Sequence, residues 1–324
     1  MKQIKKIKKI GILTSGGDAP GMNAAIRAIV RAAGSYGIET YGIYKGYYGM
    51  YHDLIKKLPR HKVGGIINRG GTVLQSSRFP EFQDEEVRAI AKKNLEKHGI
   101  DALVAIGGDG TYMGAYKLSL MGVPCVGVPG TIDNDIASTD YTIGFDTTLN
   151  TIVECVDKLR DTSYSHNRAI VVEVMGRHNP DLAVRAAIAC GAEYVIATKE
   201  DYSDDKIKEV VHTAKELGKE NCIIIVCEKT VDVNYIKDVL NQDGTYETRS
   251  CVLGMIQRGG TPSAFDRVLA GKLGTYAVQL LHAGKTGICV GIVRDKLEYM
   301  DITENAKLTK PLPKEYLEIF EKLI

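Results

Sequence analysis

The segment Pro129-Gly130-Thr131-Ile132-Asp133-Asn134-Asp135 sets two carboxylates two residues apart beside a hydroxyl, on a loop opened by Pro-Gly. It follows an apolar run, 123–128, that reads as a buried strand. A loop so placed can hold one carboxylate against a substrate hydroxyl while the other serves a metal or orients the first. Taken alone, the same residues also describe a Pro-Gly turn with solvated aspartates.

Two further loops share this context. The short apolar strand 10–13 runs into Thr14-Ser15-Gly16-Gly17-Asp18-Ala19-Pro20-Gly21, and Asn23 is placed to cap a helix carrying Ile26, Ile29 and Val30. The apolar strand 102–106 runs into Gly107-Gly108-Asp109-Gly110-Thr111 and a second helix. Glycines there let backbone N–H groups approach a phosphate, and a helix start favours negative charge. Neither loop has the GxxxxGK[ST] or the spaced GxGxxG pattern. Three polar loops, each after a parallel-type strand, point instead to the carboxyl ends of an open α/β sheet, where ligands bind.

These loops need a scaffold, and strand and helix signals do alternate along the whole chain, as in α/β folds with mostly parallel sheets. A second set begins near Phe145, with a helix over 146–159, a buried strand over 169–174 and a helix over 180–190. Strands over 194–197 and 222–226 flank an amphipathic helix over 204–217, and a late helix (265–281) and strand (288–293) are available to return to the first lobe. At 324 residues the chain suggests two domains or lobes.

Composition narrows the partners. The net charge is +2 with both signs well mixed, which does not point to nucleic acid. The one basic run, Lys2, Lys5, Lys6, Lys8 and Lys9, reads as a solvated, poorly ordered terminus. No apolar run approaches membrane-spanning length and no signal-peptide pattern is evident, so no membrane association is expected. The seven cysteines are scattered, form no CxxC pair and sit mostly in apolar runs, which predicts reduced core thiols in a cytoplasmic protein.

Over nearly its whole length the chain resembles the bacterial ATP-dependent 6-phosphofructokinases. The resemblance is carried by seven blocks in order: 11–23, 68–72, 77–82, 106–111, 129–135, 172–177 and 253–260. It implies two Rossmann-like α/β lobes with the active site in the cleft between them. The lobe bounds expected are 1–144 plus about 257–307 for ATP, and 145–256 plus about 308–324 for the sugar phosphate. It also implies transfer of the ATP γ-phosphate to the 1-hydroxyl of fructose 6-phosphate, with Mg²⁺ as cofactor, in a homotetramer with shared active sites.

The resemblance assigns roles residue by residue. Asp133 would be the general base, Asp109 the Mg²⁺ ligand, and Asp135 a support for both. Gly17 would present a backbone donor to the transferring phosphate, with Thr131 and Arg177 beside it. Tyr47, Arg78, Phe79, Gly108, Gly110, Thr111 and Gly114 would line the nucleotide pocket. Thr131, Met175, Gly176, Glu228, Met255 and Arg258 would hold the sugar phosphate, with Arg168 and Arg249 reaching it from a neighbouring subunit. Gly110 and Gly130 stand where pyrophosphate-using relatives carry Asp and Lys, which implies an ATP donor and space for a nucleotide at both positions. Arg27, Arg31, Arg60, Arg160, Glu193 and Lys219 match an ADP-type effector site.

The chain departs from the pattern in four places. Met255 replaces a histidine and cannot donate a hydrogen bond. Gln83 replaces an arginine, Leu217 a basic residue, and the segment His178-Asn-Pro-Asp181 differs from the usual small residue and glycine. A kinase for another ketose phosphate and a weakly active regulatory paralogue are therefore the competing functions. A dinucleotide-binding oxidoreductase lacks its GxGxxG and spaced acidic residue here.

Overall fold

A computed structural model describes residues 7–311 and 314–324; the basic positions Lys2, Lys5 and Lys6 lie outside them. In chain order the elements are β1 (Lys9–Thr14), α1 (Met22–Ser35), β2 (Glu39–Ile43), α2 (Gly46–Tyr51), β3 (Ile55–Lys57), α3 (Glu85–Lys97), β4 (Ala102–Gly107), α4 (Asp109–Leu120), β5 (Cys125–Pro129) and α5 (Phe145–Ser165). There follow β6 (Arg168–Val174), α6 (Asp181–Cys190), β7 (Tyr194–Ile196), α7 (Asp204–Glu216), β8 (Cys222–Cys227), α8 (Val233–Asp243), β9 (Glu247–Val252), α9 (Ala264–His282), β10 (Ile288–Val293), β11 (Lys296–Asp301), α10 (Ile302–Asn305) and α11 (Lys314–Glu321). The chain divides into two compact units: the residues up to Ile132 with Ile136–Thr147 and Arg258–Lys310, and Asp133–Asp135 with Thr148–Gln257 and the residues from Pro311 on.

The first unit is built on a sheet in the order β11-β10-β5-β4-β1-β2-β3. Its central pairings β10–β5, β5–β4, β4–β1 and β1–β2 are parallel, and only the edge pairs β2–β3 and β10–β11 are antiparallel. β1 and β4 read as continuous apolar runs because both faces are covered: every residue from Ile10 to Thr14 and from Ala102 to Gly107 is buried. Chain order reverses at β1, with β2 on one side and β4 on the other, so the carboxyl ends of β1 and β4 form a topological switch point. α1 packs on α9 where Gly274 comes against Ala25 and Ala28.

The second unit has a four-stranded parallel sheet, β7-β8-β6-β9, whose core includes Val171, Ile224, Val226, Ile207 and Ile236. α5 runs well past the expected 146–159, to Ser165. All seven cysteines are free thiols, five of them buried, and burial pushes Cys125 up to about 12. No helix among the described residues is long and apolar enough to cross a membrane.

Asn23 does not cap α1. The N-cap is Gly21 in a left-handed conformation, and Asn23 is buried one residue into the helix. Its side chain instead donates to the Arg69 and Gly70 carbonyls and accepts from Val73 N–H at 2.7 Å, pinning the 69–73 loop. Long-range hydrogen bonds to the backbone of the 69–73 loop win here over the local capping preference.

Asp266, in the first turn of α9, is fully buried and accepts the N–H groups of Gly144 and Thr147, each at 2.8 Å, and the Thr147 hydroxyl. Burial outweighs those bonds and raises its pKa to about 6. The folded protein therefore keeps this proton between about pH 4 and about pH 6, where the unfolded chain has released it. The stability contributed by this group falls as pH rises through that window. Asp266→Asn should flatten the dependence, removing up to about 3 kcal/mol of pH-linked change. Urea unfolding of both proteins at pH 4.5 and 6.5 measures it, and equal pH responses would contradict the assignment.

Candidate active site

The starts of the three polar loops are brought together in the first unit. Ser15 N–H donates to the Ile106 carbonyl at 3.1 Å, Thr111 Oγ1 donates to the Ser15 carbonyl at 3.0 Å, and Gly130 N–H donates to the Gly107 carbonyl at 3.1 Å. This convergence requires glycine at position 107. A Cβ there would lie 2.3 Å from Thr111 Oγ1 and 2.5 Å from the Ser15 carbonyl oxygen. Asp109 and Gly110 open α4 and are both exposed, so this helix starts with a carboxylate on the surface. Around Gly110 nothing would meet an added Cβ within 4 Å.

Gly16, at φ +82°, and Gly17 turn the chain after β1. The Arg258 guanidinium lies against Gly17, so that a Cβ at 17 would stand 2.6 Å from its Nη1. Arg258 Nε is buried without a hydrogen-bond partner among the described residues. Backbone donors beside a guanidinium make an anion cradle.

Tyr47 is buried rather than open: its ring stacks on Phe82 at 4.2 Å, its hydroxyl donates to the Thr111 carbonyl, and burial raises its pKa. Gly114 admits that ring, since a Cβ there would lie 2.6 Å from it. Phe79 packs at the edge of this cluster and Arg78 is exposed. Gly130 differs from expectation. A Cβ at this position would meet Ile106 at 2.9 Å and Met22 at 3.3 Å, so its smallness serves core packing and does not open space for a ligand.

In the second unit Asp133, Asn134 and Asp135 form a held tripeptide. Asn134 is fully buried at φ +49°; its Nδ2 donates to Asp181 Oδ2 at 2.7 Å, and its carbonyl accepts from Asn179 Nδ2 at 2.8 Å. Asp181 also pairs with Arg185 at 2.8 Å, and that guanidinium lies over the Tyr316 ring at 4.1 Å. The unusual 178–181 segment is thus the support of this tripeptide, a role the sequence reading did not give it. Side-chain amides and carboxylates beside the 172–177 block were the available signal. Asp135 lies 4.0 Å from Arg177 Nη1.

Met175, Gly176 and Arg177 follow β6, Glu228 follows β8, and Met255 follows β9, so they share the carboxyl ends of three adjacent parallel strands. Glu228 Oε1 accepts the Arg177 N–H at 2.7 Å, which holds Arg177 at φ +60°. Gly176, at φ +151°, leaves no room for a Cβ, which would lie 2.5 Å from the Asn179 carbonyl oxygen. Met255 is 71% exposed, a thioether facing solvent with no donor to offer. Arg168 and Arg249 are not with this group. Arg168 starts β6, at the opposite end of the strand from Met175, and is held by Glu247 through Nε at 3.0 Å and Nη2 at 3.2 Å; Arg249 pairs with the same carboxylate.

The six expected effector residues fall into two groups. Arg27, Arg31 and Arg60 are neighbours in the first unit, where burial and then the charges of Arg31 and Arg60 lower the Arg27 pKa. In the second unit Lys219 pairs with Glu193 at 3.2 Å, and Arg160 Nη2 donates to the Cys190 and Gly191 carbonyls.

Open parallel sheets with glycine loops at a switch point, an arginine over a glycine turn and a carboxylate at a helix start define an α/β protein that handles phosphates. The family model described as Phosphofructokinase matches residues 9–281. An ATP-dependent 6-phosphofructokinase of Tolumonas auensis is 56% identical over 298 residues, covering 92% of this chain and 93% of its own. One of Photobacterium profundum is 52% identical over 318 residues, covering 98% and 99%. Phosphofructokinase from Saccharomyces cerevisiae superposes at a TM-score of 0.87 with 37% identity, across 98% of this chain and 47% of that longer one. A pyrophosphate-dependent phosphofructokinase from Marinobacter aquaeolei has the same fold, at a TM-score of 0.85 and 22% identity. The chain belongs to the phosphofructokinase family.

Glycines 107 and 110 should respond differently to a methyl group. Gly107→Ala must separate Ser15 from Thr111 and should lose about 1–3 kcal/mol of stability, as overpacked sites do. Gly110→Ala should fold with wild-type stability. Paired thermal or urea unfolding checks both, and a stable Gly107→Ala would show that the loops do not depend on the close approach.

Proposed function

We propose that this protein is an ATP-dependent 6-phosphofructokinase, transferring the γ-phosphate of ATP to the 1-hydroxyl of fructose 6-phosphate to give fructose 1,6-bisphosphate and ADP. The observation that supports it most is the junction of Gly17, Arg258 and the 107–111 loop at the ends of β1 and β4, in a chain 52–56% identical to relatives bearing that name.

In this reading Asp133 accepts the proton of the sugar hydroxyl as its oxygen attacks the γ-phosphorus, and the ADP oxygen leaves. Asp133 is buried, and the locked Asn134 beside it fixes its direction. Gly17 N–H, Arg258 and Arg177 stabilise the charge on the transferring group. Thr131 and Asp135 orient the acceptor. Asp109 is the protein ligand for Mg²⁺, and no cluster of three or more metal-binding side chains exists among the described residues. A single exposed carboxylate fits a magnesium ion that keeps waters and phosphate oxygens. When bound, that ion neutralises the phosphate charge.

Arg78, Phe79, Gly108, Thr111 and Gly114 serve the nucleotide; Met175, Gly176, Glu228 and Met255 serve the sugar phosphate. Arg168 and Arg249, held together on Glu247 away from Met175, act on a neighbouring subunit's substrate, which makes a homotetramer part of the site. The Arg27, Arg31 and Arg60 group, with Arg160, Glu193 and Lys219, takes an ADP-type effector. The setting is the cytoplasm, without nucleic-acid or membrane partners.

A steady-state panel of ATP and pyrophosphate against fructose 6-phosphate and other ketose phosphates tests the reading. ATP with fructose 6-phosphate should be the productive pair; comparable turnover with pyrophosphate at saturating Mg²⁺ would refute the donor. Asp133→Asn should fold and bind ATP as the wild type does while kcat falls by about 10²–10⁴. Near-normal turnover in that variant would remove Asp133 from its role.

A further inference from the structure

Gln257 is fully buried, and its carboxamide joins two loop segments of the second unit. Oε1 accepts the Met175 N–H at 3.0 Å, and Nε2 donates to the Gly254 carbonyl at 3.1 Å. Its own carbonyl accepts from Thr148 Oγ1, itself fully buried, at 2.7 Å. A primary amide presents an acceptor and a donor together, whereas an ionised carboxylate only accepts and a thioether does neither well. The two segments have no ladder of their own to set their spacing. Past the last β6–β9 bond, Leu253 N–H to the Glu173 carbonyl at 3.2 Å, both chains turn away. Gly176 and Arg177 then take positive φ on one side, and Gly254 takes φ +54° on the other.

We propose that Gln257 is a positioning residue for the sugar-phosphate end of the site. It holds the 175–177 loop and the 254–257 turn at a fixed spacing, and so sets affinity for fructose 6-phosphate without acting on the nucleotide. The inference rests on the proposed reading that these segments hold the sugar phosphate.

The test compares the wild-type protein with Gln257→Met and Gln257→Glu. The Met variant keeps the volume and loses both bonds, and should raise KM for fructose 6-phosphate about tenfold, the weight of two neutral hydrogen bonds. KM for ATP should stay within about twofold, and kcat should change less than KM. The Glu variant adds a readout that a packing role would not move. A buried glutamate has a raised pKa, and its protonated form again offers one donor and one acceptor. Its KM defect relative to wild type should shrink as pH falls, while that of Gln257→Met should not. If the Met variant does not fold, the pH profile of the Glu variant decides alone. Equal rises in both KM values, no rise in either, or a pH-independent Glu defect would overturn the proposal while leaving the kinase reading intact. Failure of the wild type to use fructose 6-phosphate would overturn both.

Discussion

The first unit depends on one close approach. At Gly107 the chain leaves β4 so near to Ser15 and Thr111 that even a methyl group has no place. That contact lets Ser15 N–H reach the Ile106 carbonyl, continuing the β1–β4 ladder one residue past the end of β1. Gly130 extends the same pattern from β5 onto Gly107. Three loops that would otherwise diverge are thereby kept in one layer. Their backbone N–H groups inherit their positions from two backbone hydrogen bonds and the Thr111–Ser15 bond. Anion stabilisation of this sort gains from rigidity, because donors fixed in advance need no reorganisation when charge develops.

The second unit solves a different problem with Asn134. This residue is in the left-handed region, where a side chain costs energy and asparagine is among the better tolerated types. The conformation persists because Asp181 and Asn179 satisfy both its amide and its carbonyl in a fully buried setting. Asp133 and Asp135 sit on either side of it, so a single buried hub directs two carboxylates. The departure of 178–181 from the family pattern is then local adaptation of the hub: Asn179 and Asp181 contribute the bonds, and Pro180 starts α6 where it costs no helical hydrogen bond.

What the sequence made legible follows from the physics of burial. Parallel strands covered on both faces read as apolar runs, and β1, β4, β5, β6, β8 and β10 were all evident from them. The edge strand β11, Lys296–Asp301, is almost entirely exposed and has no such run, so nothing in its residues marked it. Asn23 misled because capping preference is local, whereas its real partners lie some 46 to 50 positions away. Gly130 misled because smallness in a loop is consistent with either an open pocket or a crowded core, and only the positions of Ile106 and Met22 decide between them. Gln257 and Asn179 were inside or beside recognised blocks, but a buried amide acquires its meaning from which two chains it joins.

Charge compensation separates the two groups of effector-type residues. In the second unit the cations are already answered: Lys219 by Glu193, which also accepts the Ile223 N–H, and Arg160 by the carbonyls that end α6. In the first unit Arg27 and Arg31 stand one turn apart on α1 with Arg60 close by, and like charges at this spacing oppose helix formation. Arg31 Nε is buried without a partner among the described residues. The lowered Arg27 pKa has the same origin, desolvation with two neighbouring cations. An anion arriving there would relieve repulsion that the fold itself leaves standing, whereas an anion at the Lys219 side must first compete with Glu193. The two groups therefore differ in how much a bound phosphate changes them, and the larger electrostatic change lies with α1.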